Sequence, residues 1–313
     1  MSGGRSFEEF VRARAGGTAF IPLVEELAPR VEGVTGAELT ADPTLWAGSL
    51  ERVATLVDAD AVTIGWDASI LAEACGVPLR WEEERPVLGE PPPSLSPAAK
   101  TSGRAPAYLE AARRLAVTPR AERGCVVAMA GPASLAALVL GPAPDRQAVA
   151  ALKSVLVGIA EVICQSRPDG LVLVETCEPG KSSPELRRIY GTLRNIADYY
   201  GAALILYVGG HRDVGSAAAA AASLRIDHLM VGGNHAGDAP DPAAVVRAAT
   251  GLRSIAVPLA LRDAESTGQS AAAALSAAGS GPAVYFTTPG PMPRQTDIGL
   301  VREIGESIRG IAH

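Results

Sequence analysis

The run "ALILYVGGHRD", residues 203–213, passes from an apolar stretch straight into two glycines, His211, Arg212 and Asp213. A buried strand that stops on glycines and ionisable groups has the make-up of an active-site rim. His211 could act there as a metal ligand, an acid–base group or a loop residue. Glu175 is as telling, because it interrupts the apolar run "GLVLVET" (170–176), where a carboxylate has to be paired or protonated. Asp67 follows "AVTIGW" (61–66) and can either cap the next helix or face a ligand. Cys177 and Glu178 follow Glu175; Asn234 and His235 follow "HLMVGG"; Arg262 and Asp263 follow "SIAVPLAL"; Thr287 and Thr288 close "AVYFTTPG". Asp67, Glu175, Tyr207 and His211 are the candidate catalytic residues, and Tyr207 or His211 could move a proton. Glu178, Asn234, His235 and Arg262 are candidate substrate contacts. Glu175 is expected to face the same pocket as Asp67, its pKa raised by desolvation and like-charge repulsion. Cys177, Glu178, His211 and His235 are zinc-compatible types. No ligand spacing on one element supports such a site, so no metal ligand is assigned.

These positions share one property: each lies just past a short apolar run. Eight such runs begin at residues 19, 61, 125, 170, 204, 228, 254 and 283. Unbroken apolar runs without alternation suit strands buried on both faces, as in a parallel sheet. Between them lie helical stretches such as "DPTLWAGSLERVATLVD" (42–58) and "SPELRRIYGTLRNIADYY" (183–200), opening on Asp-Pro and Ser-Pro-Glu signals. "GSAAAAAASLR" (215–225) and "DPAAVVRAATG" (241–251) continue the alternation. The pattern predicts an α/β fold, a single-domain (β/α)8 TIM barrel over 1–313, whose active site belongs at the C-terminal ends of the strands. An open doubly wound sheet is the alternative, and no G-x-G-x-x-G follows the first strand to support it. Residues 1–17 read as an N-terminal extension. Residues 83–106, rich in Pro, Gly and Ser, read as a long loop after strand two, either a lid or a surface excursion.

The 313 residues are 48% hydrophobic and only 4% aromatic, so Ala, Val, Leu and Ile must fill the core. A net charge of −6 and a pI near 5.4 argue against a nucleic-acid partner. Four scattered cysteines without C-x-x-C suit a reducing cytoplasm. The polar N-terminus does not read as a signal peptide, and no uninterrupted apolar run reaches the roughly 18 residues of a membrane span. A cytoplasmic protein with no membrane partner is expected.

"LVDADAVTIGWDASILAEACGVPLRW" (56–81) resembles the uroporphyrinogen decarboxylase superfamily, which holds uroporphyrinogen decarboxylase and the cobalamin:coenzyme M methyltransferases. In that superfamily a strand ends on an aspartate followed by a segment close to Ala-Glu-Ala-Leu-Gly. Asp67 and "AEACG" (72–76) stand there here, nearer to the methyltransferase branch. "AMAGPASLAALVLG" (128–141), "LILYVGG" and "TTPGPMPRQTDIGLVREI" (287–304) are similar to later segments in the same order, so the resemblance spans roughly 18–310. It implies the barrel, and it implies for Asp67 a role in stabilising positive charge on a substrate ring during protonation.

The departures are specific. The methyltransferase branch binds zinc through His-x-Cys at strand five and a cysteine near strand eight. Tyr207, Gly209 and Thr288-Pro289-Gly290 stand at those places. The decarboxylase branch grips porphyrinogen carboxylates with two arginines after strand one, and Leu23 and Leu27 replace them. The expected activity is therefore a cofactor-independent lyase or decarboxylase-type reaction on a small organic substrate other than uroporphyrinogen. One alternative is a corrinoid- or thiol-linked methyltransferase whose zinc site is lost or relocated. Another is a non-catalytic binding subunit. No cofactor is expected under the first reading, and zinc or a corrinoid only under the second. The decarboxylase branch implies a homodimer.

Overall fold

The computed structural model describes residues 6–14, 17–96, 98–118, 123–140 and 145–311. The eight apolar runs become eight parallel strands: β1 (Ala19–Phe20), β2 (Ala61–Ile64), β5 (Gly124–Ala130), β6 (Gly170–Glu175), β7 (Ala203–Val208), β8 (His228–Val231), β9 (Ser254–Pro258) and β10 (Ala283–Thr287). Their order around the sheet is β1-β10-β9-β8-β7-β6-β5-β2, with parallel pairing at each step. With the interleaved helices this is the (β/α)8 barrel that the alternation predicts.

The two end strands are joined by one residue rather than by a ladder. The Asp60 N–H donates to the Phe20 carbonyl at 2.9 Å, and the Asp60 carboxylate accepts the Phe20 N–H at 2.8 Å. Asp169 repeats the device below β6, accepting the Cys125 N–H at 2.8 Å.

Side chains alternate between two apolar layers. Val126, Ala128, Val172, Val174, Ile205, Tyr207, Met230 and Tyr285 fill the barrel interior. Leu171, Leu173, Leu204, Leu206 and Leu229 face the helices. The helices start where the caps place them. Asp42 accepts the Thr44 and Leu45 N–H groups to open α4 (Pro43–Leu56), and Ser183 opens α9 (Pro184–Tyr200). α10 (Val214–Leu224), α11 (Pro242–Ala248), α12 (Ala264–Ala278) and α13 (Ile298–Arg309) cover the later strands.

Three expectations change. Residues 1–17 are more than an extension, although residues 1–5 and 15–16 lie outside the described residues. α1 (Phe7–Arg12) packs Phe7, Phe10 and Val11 into the interior cluster at the N-terminal ends of the strands. The 83–106 stretch is not wholly irregular. β3 (Leu79–Glu82) and β4 (Arg85–Leu88) form an antiparallel hairpin, with Glu83 and Glu84 at its tip in the left-handed region. The third concerns α8 (Arg146–Gln165), which by length and composition is long and apolar enough to cross a membrane. Val149, Leu152, Leu156 and Ile159 turn one face of it into the barrel's outer core, the behaviour of an interior helix.

Candidate active site

β2 is followed by Gly65, whose φ of +92° and surroundings exclude a side chain: a Cβ there would stand 2.2 Å from the Ala128 carbonyl oxygen. The sharp turn leaves the Gly65 and Trp66 N–H groups without strand partners. Both donate to Glu25 Oε2, at 2.8 and 2.9 Å. Glu25 opens a 3₁₀ turn (Glu25–Leu27) after β1, and its Oε1 accepts the Trp46 indole N–H of α4 at 3.1 Å. Burial raises the Glu25 pKa to about 7; the neighbouring Asp67 adds to the rise, while the Trp66 N–H is the chief opposing influence.

Asp67 Oδ1 accepts the Ser69 N–H at 2.8 Å, so it does anchor the start of α5 (Ser69–Ala74). Its other oxygen takes the Arg104 guanidinium at 2.8 Å. Arg104 opens α6 (Ala105–Val117), is 9% exposed, and spends its remaining donors on Glu73 (2.8 Å) and the Ser69 hydroxyl (2.7 Å). Its guanidinium lies 5.4 Å from the centre of the Trp81 ring in β3.

These groups line a cavity of about 1100 Å³ roofed by the hairpin. Its walls include Glu25, Glu26, Asp67, Arg85, Arg104, Arg294 and all three tryptophans of the chain. Arg294, from the loop after β10, is ion-paired with Glu84 at the hairpin tip.

The other sequence candidates are distributed differently. Glu175 does not share this cavity, and the expectation that it faces the axis is overturned. It has the parity of Leu171 and Leu173, so it points at the helix layer, wholly buried. There it caps α7 (Pro132–Val139). Oε2 accepts the Ser134 N–H and hydroxyl, both at 2.7 Å, and Oε1 accepts the Ala133 N–H at 3.1 Å and the Tyr190 hydroxyl. Its pKa is raised by desolvation and pulled down by these donors; like-charge repulsion from Asp67 is not among the causes.

Tyr207 does face the interior. Its hydroxyl donates to the Pro289 carbonyl at 2.9 Å, its ring meets Trp66 edge-on at 5.3 Å, and burial pushes its pKa up to about 12. It lines a second hollow of about 540 Å³ with Asn234, Thr288 and a ring of glycines and prolines. Asn234 uses its carbonyl to accept the Ala236 and Asp238 N–H groups.

His211 is buried, its Nε2 3.0 Å from the Gly232 carbonyl; Nδ1 has no partner among the described residues. Glu178 is tied to Lys181 and, at 3.6 Å, to Arg212, and it lines a separate surface hollow between α7 and α9. His235 and Arg262 are exposed, Asp263 caps α12, and Thr287 donates to the Ile21 carbonyl. His228 meets the Ser254 hydroxyl at 2.8 Å at the opposite end of the barrel.

Sequence reading missed Glu25, Glu26 and Arg104. The signal available for Glu25 was the acidic pair that breaks "FIPLVEEL".

The donor set does not fit the family's zinc. At the place where the resemblance puts the metal-binding histidine stands the phenol of Tyr207, and a Cβ on Gly232 would lie 2.3 Å from its oxygen, so that space is taken. Among the described residues no three His, Cys, Asp or Glu side chains are grouped so that they could hold a metal ion. The relocated set of Cys177, Glu178, His211 and His235 therefore does not assemble. Leu23 is buried in the barrel interior and Leu27 in the helix layer, where neither can meet a carboxylate.

A methyltransferase from Methanosarcina mazei has a similar structure, with a TM-score of 0.69 and 17% identity over 97% of this chain and 98% of that one. The tandem-GH20-module exo-β-D-N-acetylglucosaminidase of pneumococcus is similar only at a TM-score of 0.36 and 9% identity, covering 93% of this chain and 81% of that one, too low to carry an argument. Comparison with curated proteins returned no match. The family model for uroporphyrinogen decarboxylase (URO-D) matches residues 20–156, the stretch that supplies β1, β2, the hairpin, Glu25, Asp67 and Arg104. Over residues 20–156 the chain is thus similar to the uroporphyrinogen decarboxylase family, and its fold is that of the Methanosarcina methyltransferase.

Proposed function

We propose that the protein is a cytoplasmic enzyme that removes a carboxyl group from a small conjugated acid other than uroporphyrinogen, without a cofactor, in the cavity beneath the hairpin. The observation that carries this reading is the Asp67 carboxylate, held on the cavity wall by Arg104 and the Ser69 N–H. A carboxylate fixed in advance stabilises positive charge as it develops, with little reorganisation. In the reaction, a proton adds to the ring carbon that bears the carboxylate and the ring becomes cationic beside Asp67. The bond to the carboxylate then breaks, its electron pair returns to the ring, and CO₂ leaves. The net change is carboxylate replaced by hydrogen.

The tryptophan-lined walls favour a flat substrate, since aromatic rings gain from edge and offset contacts. A methyltransferase reading draws on "AEACG" and on the Methanosarcina structure. It needs an activated thiolate, and burial raises the Cys177 thiol instead of lowering it.

The test is CO₂ release from a panel of small heteroaromatic acids, pyrrole-2-carboxylate included, by wild type and Asp67→Asn. Turnover of a panel member that falls about 100-fold or more in Asp67→Asn, with unfolding unchanged, supports the reading. Undiminished turnover in that variant overturns it. Zinc retained stoichiometrically through purification would favour the methyltransferase reading.

A further inference from the structure

We propose that Glu25 is the proton-carrying carboxyl of the cavity, the group that hands a proton to the substrate's reacting carbon and recovers one from water. The inference rests on the reading of this cavity as an active site and names the acid that reading lacks. Several acids line the cavity, and they differ in what they are tied to. Asp67 is ion-paired with Arg104 and accepts the Ser69 N–H, and Glu84 is ion-paired with Arg294. Glu26 and Glu83 are exposed. Glu25 alone is sheltered without a cation within ion-pair distance among the described residues, and all three of its hydrogen bonds come from uncharged donors.

The same contacts say which oxygen carries the proton. A carboxylate offers about four acceptor sites, two on each oxygen. Oε2 is filled by the Gly65 and Trp66 N–H groups, whereas Oε1 takes only the Trp46 indole, so one site on Oε1 is unused. Two of the donors are backbone groups at the end of β2, which fixes the carboxyl to the barrel rather than to a mobile side chain.

The charged and titratable surroundings are few. Asp67 at the end of β2 repels the charged form. Arg104, at the start of α6, is directed at Asp67. Tyr108 of α6 lies close enough that the Glu25 charge raises its phenol, whose proton goes to the Ala128 carbonyl. Glu26 is adjacent in the chain and feels Arg85 and Arg294 of the roof. Burial is the largest influence and keeps Glu25 titrating about 7, where an acid can both give and retake a proton at neutral pH. The step balances: the Oε1–H bond breaks, its proton forms the new C–H bond, and a proton from water restores the acid after CO₂ has left.

Glu25 can be read without a substrate, because all three tryptophans line its cavity and one donates to it directly. Intrinsic fluorescence of the full-length protein, titrated between about pH 5 and 9, is expected to show a transition near 7. Glu25→Gln should abolish the transition, Trp46→Phe should weaken its amplitude, and Asp67→Asn should move its midpoint down. Infrared difference spectra of the wild type over the same range should show loss of a carboxylic-acid C=O band, which keeps the test open if Glu25→Gln does not fold. A flat wild-type titration with no infrared change, or a transition that survives Glu25→Gln, overturns the proposal. Such a failure leaves the decarboxylase reading standing, since that reading falls only with the Asp67→Asn assay.

Discussion

Glu175→Ala separates a structural carboxylate from a catalytic one. The wild-type side chain is wholly buried and accepts from the Ser134 N–H, the Ser134 hydroxyl, the Ala133 N–H and the Tyr190 hydroxyl. After truncation the Ala133 N–H keeps the Tyr190 oxygen, 3.2 Å away, but the Ser134 N–H and the Tyr190 O–H lose their acceptor inside the protein. A buried donor left unpaired costs roughly 1–3 kcal/mol, and the vacated volume adds to that. The expected loss is therefore about 3–5 kcal/mol, a fall in Tm of about 5–8 °C for a domain of this size. Glu175→Gln keeps the volume but turns an amide toward donors, and should cost less. Burial raises the Glu175 pKa, so its ionised form is disfavoured by the fold. Its contribution is complete below the ordinary carboxylate pKa and is lost as pH rises through the folded value. The Gln variant should lack that dependence. Thermal unfolding across pH, read beside turnover, makes the measurement. A Glu175→Ala protein that melts with the wild type and loses only activity would refute the capping assignment and return Glu175 to the site.

Two further outcomes are expected. Asp60→Ala removes the acceptor for the Phe20 N–H at the seam between β1 and β2 and should cost about 1–3 kcal/mol in urea unfolding. Asp60→Asn keeps an acceptor there and should cost less; because burial raises the Asp60 pKa, the advantage of Asn should grow as pH rises above the ordinary aspartate range. The protein should not turn over uroporphyrinogen at a rate comparable with a true decarboxylase, since the positions where the resemblance expects carboxylate-binding arginines hold Leu23 and Leu27, both fully buried. A direct assay with that substrate decides it.

The barrel was legible because each strand is an apolar run bounded by polar helix caps, and all eight runs became strands in parallel pairing. The same feature concealed the direction of Glu175. In a strand buried on both faces, Leu171 and Leu173 look no different from Val172 and Val174, so no alternation marks which parity faces the axis. The hairpin was hidden by its tip, where Glu83 and Glu84 take left-handed φ values of 46° and 66° in place of the usual Asn-Gly. Glu25 was hidden by distance, for its donors come from residues 46, 65 and 66.

The least legible feature was that the barrel mouth is divided. Trp66 lines the larger hollow and Tyr207 the smaller, with their rings in edge contact, and the Tyr207 hydroxyl is bound to the Pro289 carbonyl across the mouth. Gly209 and Gly232 leave room for the Tyr207 ring, since a Cβ at either would stand 3.0 Å or less from its atoms. The Tyr207 side chain thereby builds the partition that places Glu25 and Asp67 on one side and the glycine-rich hollow with Asn234 on the other. His211 lies outside that partition, its Nε2 3.0 Å from the Gly232 carbonyl and its backbone bridged to Asn234.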